Sequence, residues 1–253
     1  MKGLGGLQRC RLEAADVLLV HTKRSLWGWL IRAGTRCYWN HALLVCRTGD
    51  TDEGYRSTLV VDAKSDGTIV IRPVRGYLDN PGKYDIAVKR LQAGLPEAAG
   101  LRLRSHICDV AVNEVGVEVG LPLAGSFDRI IRQFTLILRF IRRKMGRAAR
   151  QPVLSWSARP ADVKAFTCGG FVQWCYYQAA RRMVAEGSGD GSLFDAVLLG
   201  PGARARPTPF ELLTTTPAVL TESAGLSWRY VIRDGVIEEV GGLADSPACP
   251  ANA

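Results

Sequence analysis

Apolar residues recur along the chain in two periods, and the switches between them mark out the elements. Asp16-Val17-Leu18-Leu19-Val20 is a short apolar run that reads as a buried strand. From Ser25 to Thr35 the spacing turns helical, carried by Leu26, Trp27, Leu30 and Ile31. Trp39 to Cys46 then returns to period two, an alternation that places Trp39, His41, Leu43 and Val45 on one face of a strand. Thr58 to Ala63 and Thr68 to Val74 flank a polar turn at Lys64 to Gly67 and predict a β-hairpin, with Asp62 on the same face as Val60.

The second half is more helical. Pro96 to Val117 predicts a helix packed through Leu101, Ile107 and Val110, with His106 on its surface beside Arg102 and Arg104. Phe127 to Met145 predicts another, with Phe127, Ile130, Ile131, Phe134, Ile137, Leu138 and Ile141 along one side. Arg129, Arg132, Arg139, Arg142 and Arg143 occupy much of its other side, which suits either a core helix with a solvated basic face or an interfacial helix. After Thr167 the spacing of Cys168, Phe171, Val172, Cys175 and Ala179 predicts a third helix. A glycine-rich loop follows at Glu186 to Ser192, then an apolar strand or helix at Leu193 to Leu199 and an extended segment at Gly200 to Pro209. Trp228 to Val240 reads as a hairpin turning at Asp234-Gly235, and residues 244–253 as a disordered tail.

Composition narrows the class. At 253 residues, 47% apolar and 23% charged, the chain can bury a sizeable core. The formal charge of +9 calls for an anionic partner, nucleic acid or a lipid surface, and six basic residues fall between Arg139 and Arg150. Nucleic acid is the weaker choice, because no reading motif or stacking platform accompanies the charge. Seven scattered cysteines with no CxxC pair argue against a disulfide framework or a zinc ribbon, and for a reducing compartment. A metal set of Cys37, His41 and Cys46 is disfavoured, since alternation sends His41 and Cys46 to opposite faces. Met1 to Ala15 lacks the apolar core of a secretory signal, and no apolar run is long enough for a transmembrane helix.

The chemistry concentrates at Cys168. A cysteine at a helix start, with Thr167 placed to cap it, meets unpaired N–H groups and the positive end of the helix dipole, which favour a thiolate. The same N–H groups could hold an oxyanion, and Gly169 and Gly170 leave room for a substrate to approach. Cys175, on the same face, is better explained as packing. His41 at a strand start could be an ordinary structural histidine or a base. Asp62, an acid among aliphatic residues, needs a partner, and a histidine on a neighbouring strand would supply one.

In this order, Ala15-Asp16-Val17-Leu18-Leu19, Trp39-Asn40-His41-Ala42-Leu43-Leu44-Val45, Val60-Val61-Asp62-Ala63, Thr167-Cys168-Gly169-Gly170-Phe171-Val172 and Thr208-Pro209-Phe210-Glu211-Leu212 form a series of five motifs. The series resembles the circularly permuted branch of the NlpC-type, papain-like cysteine hydrolases, which includes YiiX-like bacterial proteins and relatives of lecithin:retinol acyltransferase. The resemblance implies an α+β papain-like domain over residues 14–217, with a central antiparallel sheet and a helical insertion at about 96–150. A C-terminal hairpin extension at 218–243 would follow. It implies Cys168 as nucleophile, His41 as base and Asp62 as the orienting acid, where many relatives carry Glu. Gly169 stands where relatives often have Ser, and Gly169 and Trp39 are the candidate substrate-binding positions.

No metal or organic cofactor is implied. The expected activity is a hydrolase or acyltransferase acting on an amide, ester or thioester, with lipid or acylated substrates ranked first. Two alternatives stand beside it: a cell-wall peptide amidase or endopeptidase, and a basic membrane-binding module with a vestigial site. The expected location is the cytoplasm, with peripheral contact to anionic membrane through the 127–145 helix.

Overall fold

The computed structural model of the protein describes residues 10–49, 54–64, 68–92, 94–115, 167–199, 212 and 214–240. The chain is a mixed α/β protein built on one seven-stranded antiparallel sheet. Its strands are β1 (Val17–Thr22), β2 (His41–Arg47), β3 (Leu59–Ala63), β4 (Ile69–Pro73), β5 (Tyr84–Leu91), β6 (Leu226–Arg233) and β7 (Val236–Glu239), in the order β4-β3-β2-β1-β5-β6-β7. Helix α1 (Leu26–Thr35) joins β1 to β2, and the short α2 (Arg75–Leu78) joins β4 to β5. The longer helices are α3 (Glu97–Asn113) and α4 (Cys168–Ala185), followed by α5 (Ser192–Val197) and α6 (Pro217–Glu222).

Alternation divides the central strands between two cores. Val17, Leu19, Ala42, Leu44, Val61 and Ala87 belong to the side covered by α3 and α4. Leu18, Val20, Leu43, Val45, Val60, Ile86 and Val88 belong to the other, together with Tyr77 and Leu78 of α2. Being buried on both faces explains why β1 reads as a continuous apolar run.

Helix α4 lies against this sheet through Phe171, Val172, Cys175 and Ala179, all buried. Two buried polar side chains fix it along its length. The Tyr176 hydroxyl donates to the Ala15 carbonyl at 2.6 Å. The Gln173 side chain both donates to Val197 O at 2.9 Å and accepts from Leu199 N at 2.8 Å.

Four sequence expectations change. Trp39 precedes the paired part of β2, so strand alternation does not reach it, and it packs with Ala42 and Leu44 rather than with Leu43 and Val45. Leu101 is 59% exposed, while Leu103, Ile107 and Val110 carry the buried face of α3. His106 is only partly exposed, with Nε2 3.3 Å from Glu186 Oε2. The C-terminal hairpin is not an appendage: β6 pairs with β5 and extends the same sheet. It turns where expected, at Asp234 and Gly235, with φ of 51° and 78°. A tight turn with two left-handed residues matches the twist of a hairpin.

The predicted helix at 127–145, the extended segment at 200–209 and the tail at 244–253 lie outside the described residues, as do most of the 96–150 insertion and the first four residues of the Thr208–Leu212 motif.

The only buried lysine among the described residues secures α6. Lys89 Nζ donates to the carbonyls of Leu220, Thr221 and Ser223 at 2.9, 2.7 and 3.2 Å, and lies 4.7 Å from the centre of the Trp228 ring. These carbonyls have no further helical turn to bond, so the ammonium acts as their cap, although burial pushes its pKa down to about 8. Lys89→Met keeps the volume and removes the donor. Urea unfolding of this variant is expected to show a loss of about 1–3 kcal/mol. An unchanged midpoint would mean that water takes over the three carbonyls.

Candidate active site

The end of the sheet formed by the start of β2 and the end of β3 meets the N-terminus of α4. Helix α4 starts at Cys168 because Thr167 caps it: the Thr167 hydroxyl accepts from Gly170 N at 2.9 Å and donates to the Thr215 carbonyl. Gly169 lies against that same backbone. A Cβ at this position would sit 2.6 Å from Thr215 O and 2.9 Å from Thr216 C. The glycine thus makes room for the segment leading into α6, and not for a substrate as the sequence suggested. A serine here would not fit without moving that backbone. Gly170 is also buried.

Strand pairing brings the other two residues together. β2 and β3 are antiparallel neighbours, with Leu44 opposite Val61. At the open end of this pair His41 Nε2 lies 2.9 Å from Asp62 Oδ1. The imidazole also engages Cys168, through both hydrogen bonding and charge. Cys168 and His41 both keep partial exposure, whereas Asp62 is 3% exposed.

The electrostatics favour a thiolate–imidazolium pair. Burial alone would push the Cys168 thiol up from 9.0. The His41 charge, its hydrogen bond and the N–H groups of Ala42 and Gly169 outweigh burial and bring the pKa below that value. Burial likewise opposes charging His41, but Cys168 and Asp62 together raise it to about 10. Asp62 is held below the usual carboxylate range: burial would raise it, and the His41 hydrogen bond and charge, the Tyr77 hydroxyl and Arg72 reverse that.

Four other cysteines behave in the opposite way. Burial raises Cys46, Cys108 to about 11, Cys10 to about 12, and Cys175 well above 9.0. Cys175 is fully buried in the core, in keeping with a packing role.

Trp39 is 2% exposed and stands edge-on to Tyr38, with ring centres 5.0 Å apart. It supports the strand start from inside the core, and its side chain is closed off from a substrate.

Sequence reasoning missed Tyr77. Its hydroxyl donates to Asp62 Oδ2 at 2.7 Å, so the two carboxylate oxygens are shared between His41 and Tyr77. Arg72 Nε stands farther off, at 3.9 Å from Oδ2. The only sequence signal for Tyr77 was an aromatic residue shortly after the β4 strand that pairs with Asp62. Among the described residues no group of three or more His, Cys, Asp or Glu could hold a metal ion.

A scan against protein-family models and a search of curated proteins found no match to this chain.

Two outcomes are expected. Tyr77→Phe removes a donor from a buried carboxylate. The Asp62 pKa should rise and the His41 imidazolium, followed by NMR titration, should lose its proton at lower pH than in the unsubstituted protein. An unmoved His41 titration would remove Tyr77 from the site. Gly169→Ala should lower thermal stability and slow Cys168 alkylation, because the added methyl forces Thr215 away. A variant equal to the parent on both counts would show that the backbone yields freely.

Proposed function

We propose that the protein is a cysteine-nucleophile hydrolase or acyltransferase of the circularly permuted NlpC-type, papain-like kind, acting on an amide, ester or thioester. The observation that carries the reading is the set formed by Cys168, His41 and Asp62: a thiol made acidic, an imidazole made basic, and a buried carboxylate on the far side of the ring. The antiparallel sheet with a cysteine-bearing helix end against it is compatible with a papain-like architecture.

In this reading the Cys168 thiolate attacks the substrate carbonyl carbon and forms a carbon–sulfur bond. The carbonyl electrons move to oxygen, and the N–H groups at the start of α4 face the developing charge. The His41 imidazolium gives its proton to the departing amine, alcohol or thiol as that bond breaks, leaving a thioester on Cys168. Water or another acceptor then loses a proton to His41 and attacks the thioester, which releases the acyl group and restores the thiolate. Asp62 steadies the imidazolium whenever His41 carries the proton and holds the ring so that its other nitrogen faces the sulfur. Lipid or acylated substrates fit the chain's excess of positive charge better than cell-wall peptides do. Among the described residues no helix is long and apolar enough to cross a membrane.

The test is the reactivity of the thiol against pH. Cys168 is lowered, so its thiolate population persists below pH 9.0 and is lost only as the pH falls through the depressed pKa. Turnover, which also needs the imidazolium, should fall again as the pH rises through about 10. Iodoacetamide should therefore label Cys168 at neutral pH ahead of every other cysteine, as read by peptide mass mapping. Cys168→Ala should abolish hydrolysis of a thioester substrate with the fold intact. Labelling of Cys168 that rises only near pH 9, as for an ordinary thiol, would sink the proposal and leave a vestigial site.

A further inference from the structure

Helix α1 exposes the wrong side for a helix that ends its contacts at water. Its inner face rests on Asn40, the residue before His41: a Cβ on Gly28 would meet Asn40 Nδ2 at 2.2 Å. Thr35 is buried on the same side. The outward face is apolar, with Leu26 77% exposed, Trp29 56% exposed and Ala33 exposed between them at i, i+3 and i+7 spacing. A solvated face would carry polar residues at these positions.

Positive charge frames this face. Arg24 and Arg36, both exposed, stand just before the Ser25 cap and just after Thr35. Both adopt left-handed backbone, with φ of 56° and 52°. Glycine would be the undemanding residue at such positions, the second of which is the helix C-cap. The 33 residues from Val17 to Gly49 contain five Lys or Arg and no Asp or Glu, and one of the five, Lys23, is paired with Asp85 and Asp234.

We infer that α1 is a membrane-docking element, which seats Leu26, Trp29 and Ala33 in the interface of an anionic lipid surface while Arg24 and Arg36 meet the headgroups. An apolar centre with cations at its rim is the arrangement such a surface accommodates. A nucleic-acid face would instead carry its cations across the centre, to follow the phosphates. A second copy of the chain would bring like charges against each other around a small apolar area. Docking through α1 places the start of β2, and with it His41, next to the membrane. This goes beyond the enzyme reading and does not depend on Cys168 being a nucleophile.

The experiment uses the full chain carrying Cys168→Ala, so that binding is read apart from catalysis. It is sedimented with vesicles of phosphatidylcholine, with and without phosphatidylglycerol. Binding to the anionic vesicles is expected, weakened by added salt. L26Q/W29Q should reduce the partition coefficient about tenfold or more. R24Q/R36Q should weaken binding to anionic vesicles by about fivefold for each arginine removed. All four side chains are exposed, so circular dichroism and the thermal midpoint should not change. A second measurement needs no variant of α1: tryptophan fluorescence of the bound protein should be quenched by acyl-chain-brominated phosphatidylcholine.

The inference is overturned if anionic vesicles do not bind the protein, or if L26Q/W29Q binds as tightly as its parent. It is also overturned if bound protein shows no quenching, or if R139Q/R142Q/R143Q abolishes binding that L26Q/W29Q leaves intact. A dimer in vesicle-free sedimentation that L26Q/W29Q dissociates would reassign the face to self-association. Failure of Cys168 to react as a thiolate, with vesicle binding retained, would remove the enzyme reading alone.

Discussion

Asp62 is a carboxylate taken out of water, and the candidate site stands on the two donors that compensate it. An unpaired charge at that depth would cost several kcal/mol, so the carboxylate can remain ionised only while both oxygens are engaged. His41 holds one and the Tyr77 hydroxyl the other. The charge so retained joins the Cys168 thiolate in favouring the imidazolium, and the imidazolium is in turn what makes Cys168 acidic against its own burial. Remove the first link and the last is weakened. Cys46 shows the alternative: a partly exposed thiol that burial raises, with no cation pulling it down, goes up.

Much of this was legible in the sequence, because it follows from periods. Period two put Asp62 beside Val60 and pointed to a histidine on an adjacent strand, and the β2–β3 pairing realises that geometry. Helical spacing and a threonine cap located the start of α4 at Cys168. The turn residues Asp234 and Gly235 located the last hairpin. What escaped depends on approach between segments distant in sequence. The purpose of Gly169 appears only when Thr215 comes against it, 46 residues later. Tyr77 lies in a four-residue helix too short to show any period. Trp39 looked like part of a strand, but strand geometry begins two residues after it.

The support of Cys168 is spread across the chain. Thr167 and Gly169 lean on the backbone at Thr215, the entry to α6, and the far end of α6 is held by Lys89 from β5. Tyr176 and Gln173 hold the body of α4 to Ala15 and to the segment after α5. The sulfur is thus positioned by contacts to the backbone of other elements, which a side-chain substitution elsewhere perturbs less easily than it would a packing contact.

The spacing of the three residues along the chain has a consequence for assembly. His41 and Asp62 sit on consecutive strands, 21 positions apart, whereas Cys168 is drawn from a helix more than 100 residues farther on. Closing a short loop costs less entropy than closing a long one, so the acid–imidazole pair belongs to a local hairpin and the thiol to a distant encounter. Until that encounter Cys168 has neither the His41 imidazolium nor the Ala42 N–H beside it. A nascent or unfolded chain therefore carries seven ordinary thiols, and the lowered pKa of Cys168 comes into being only with the finished tertiary structure.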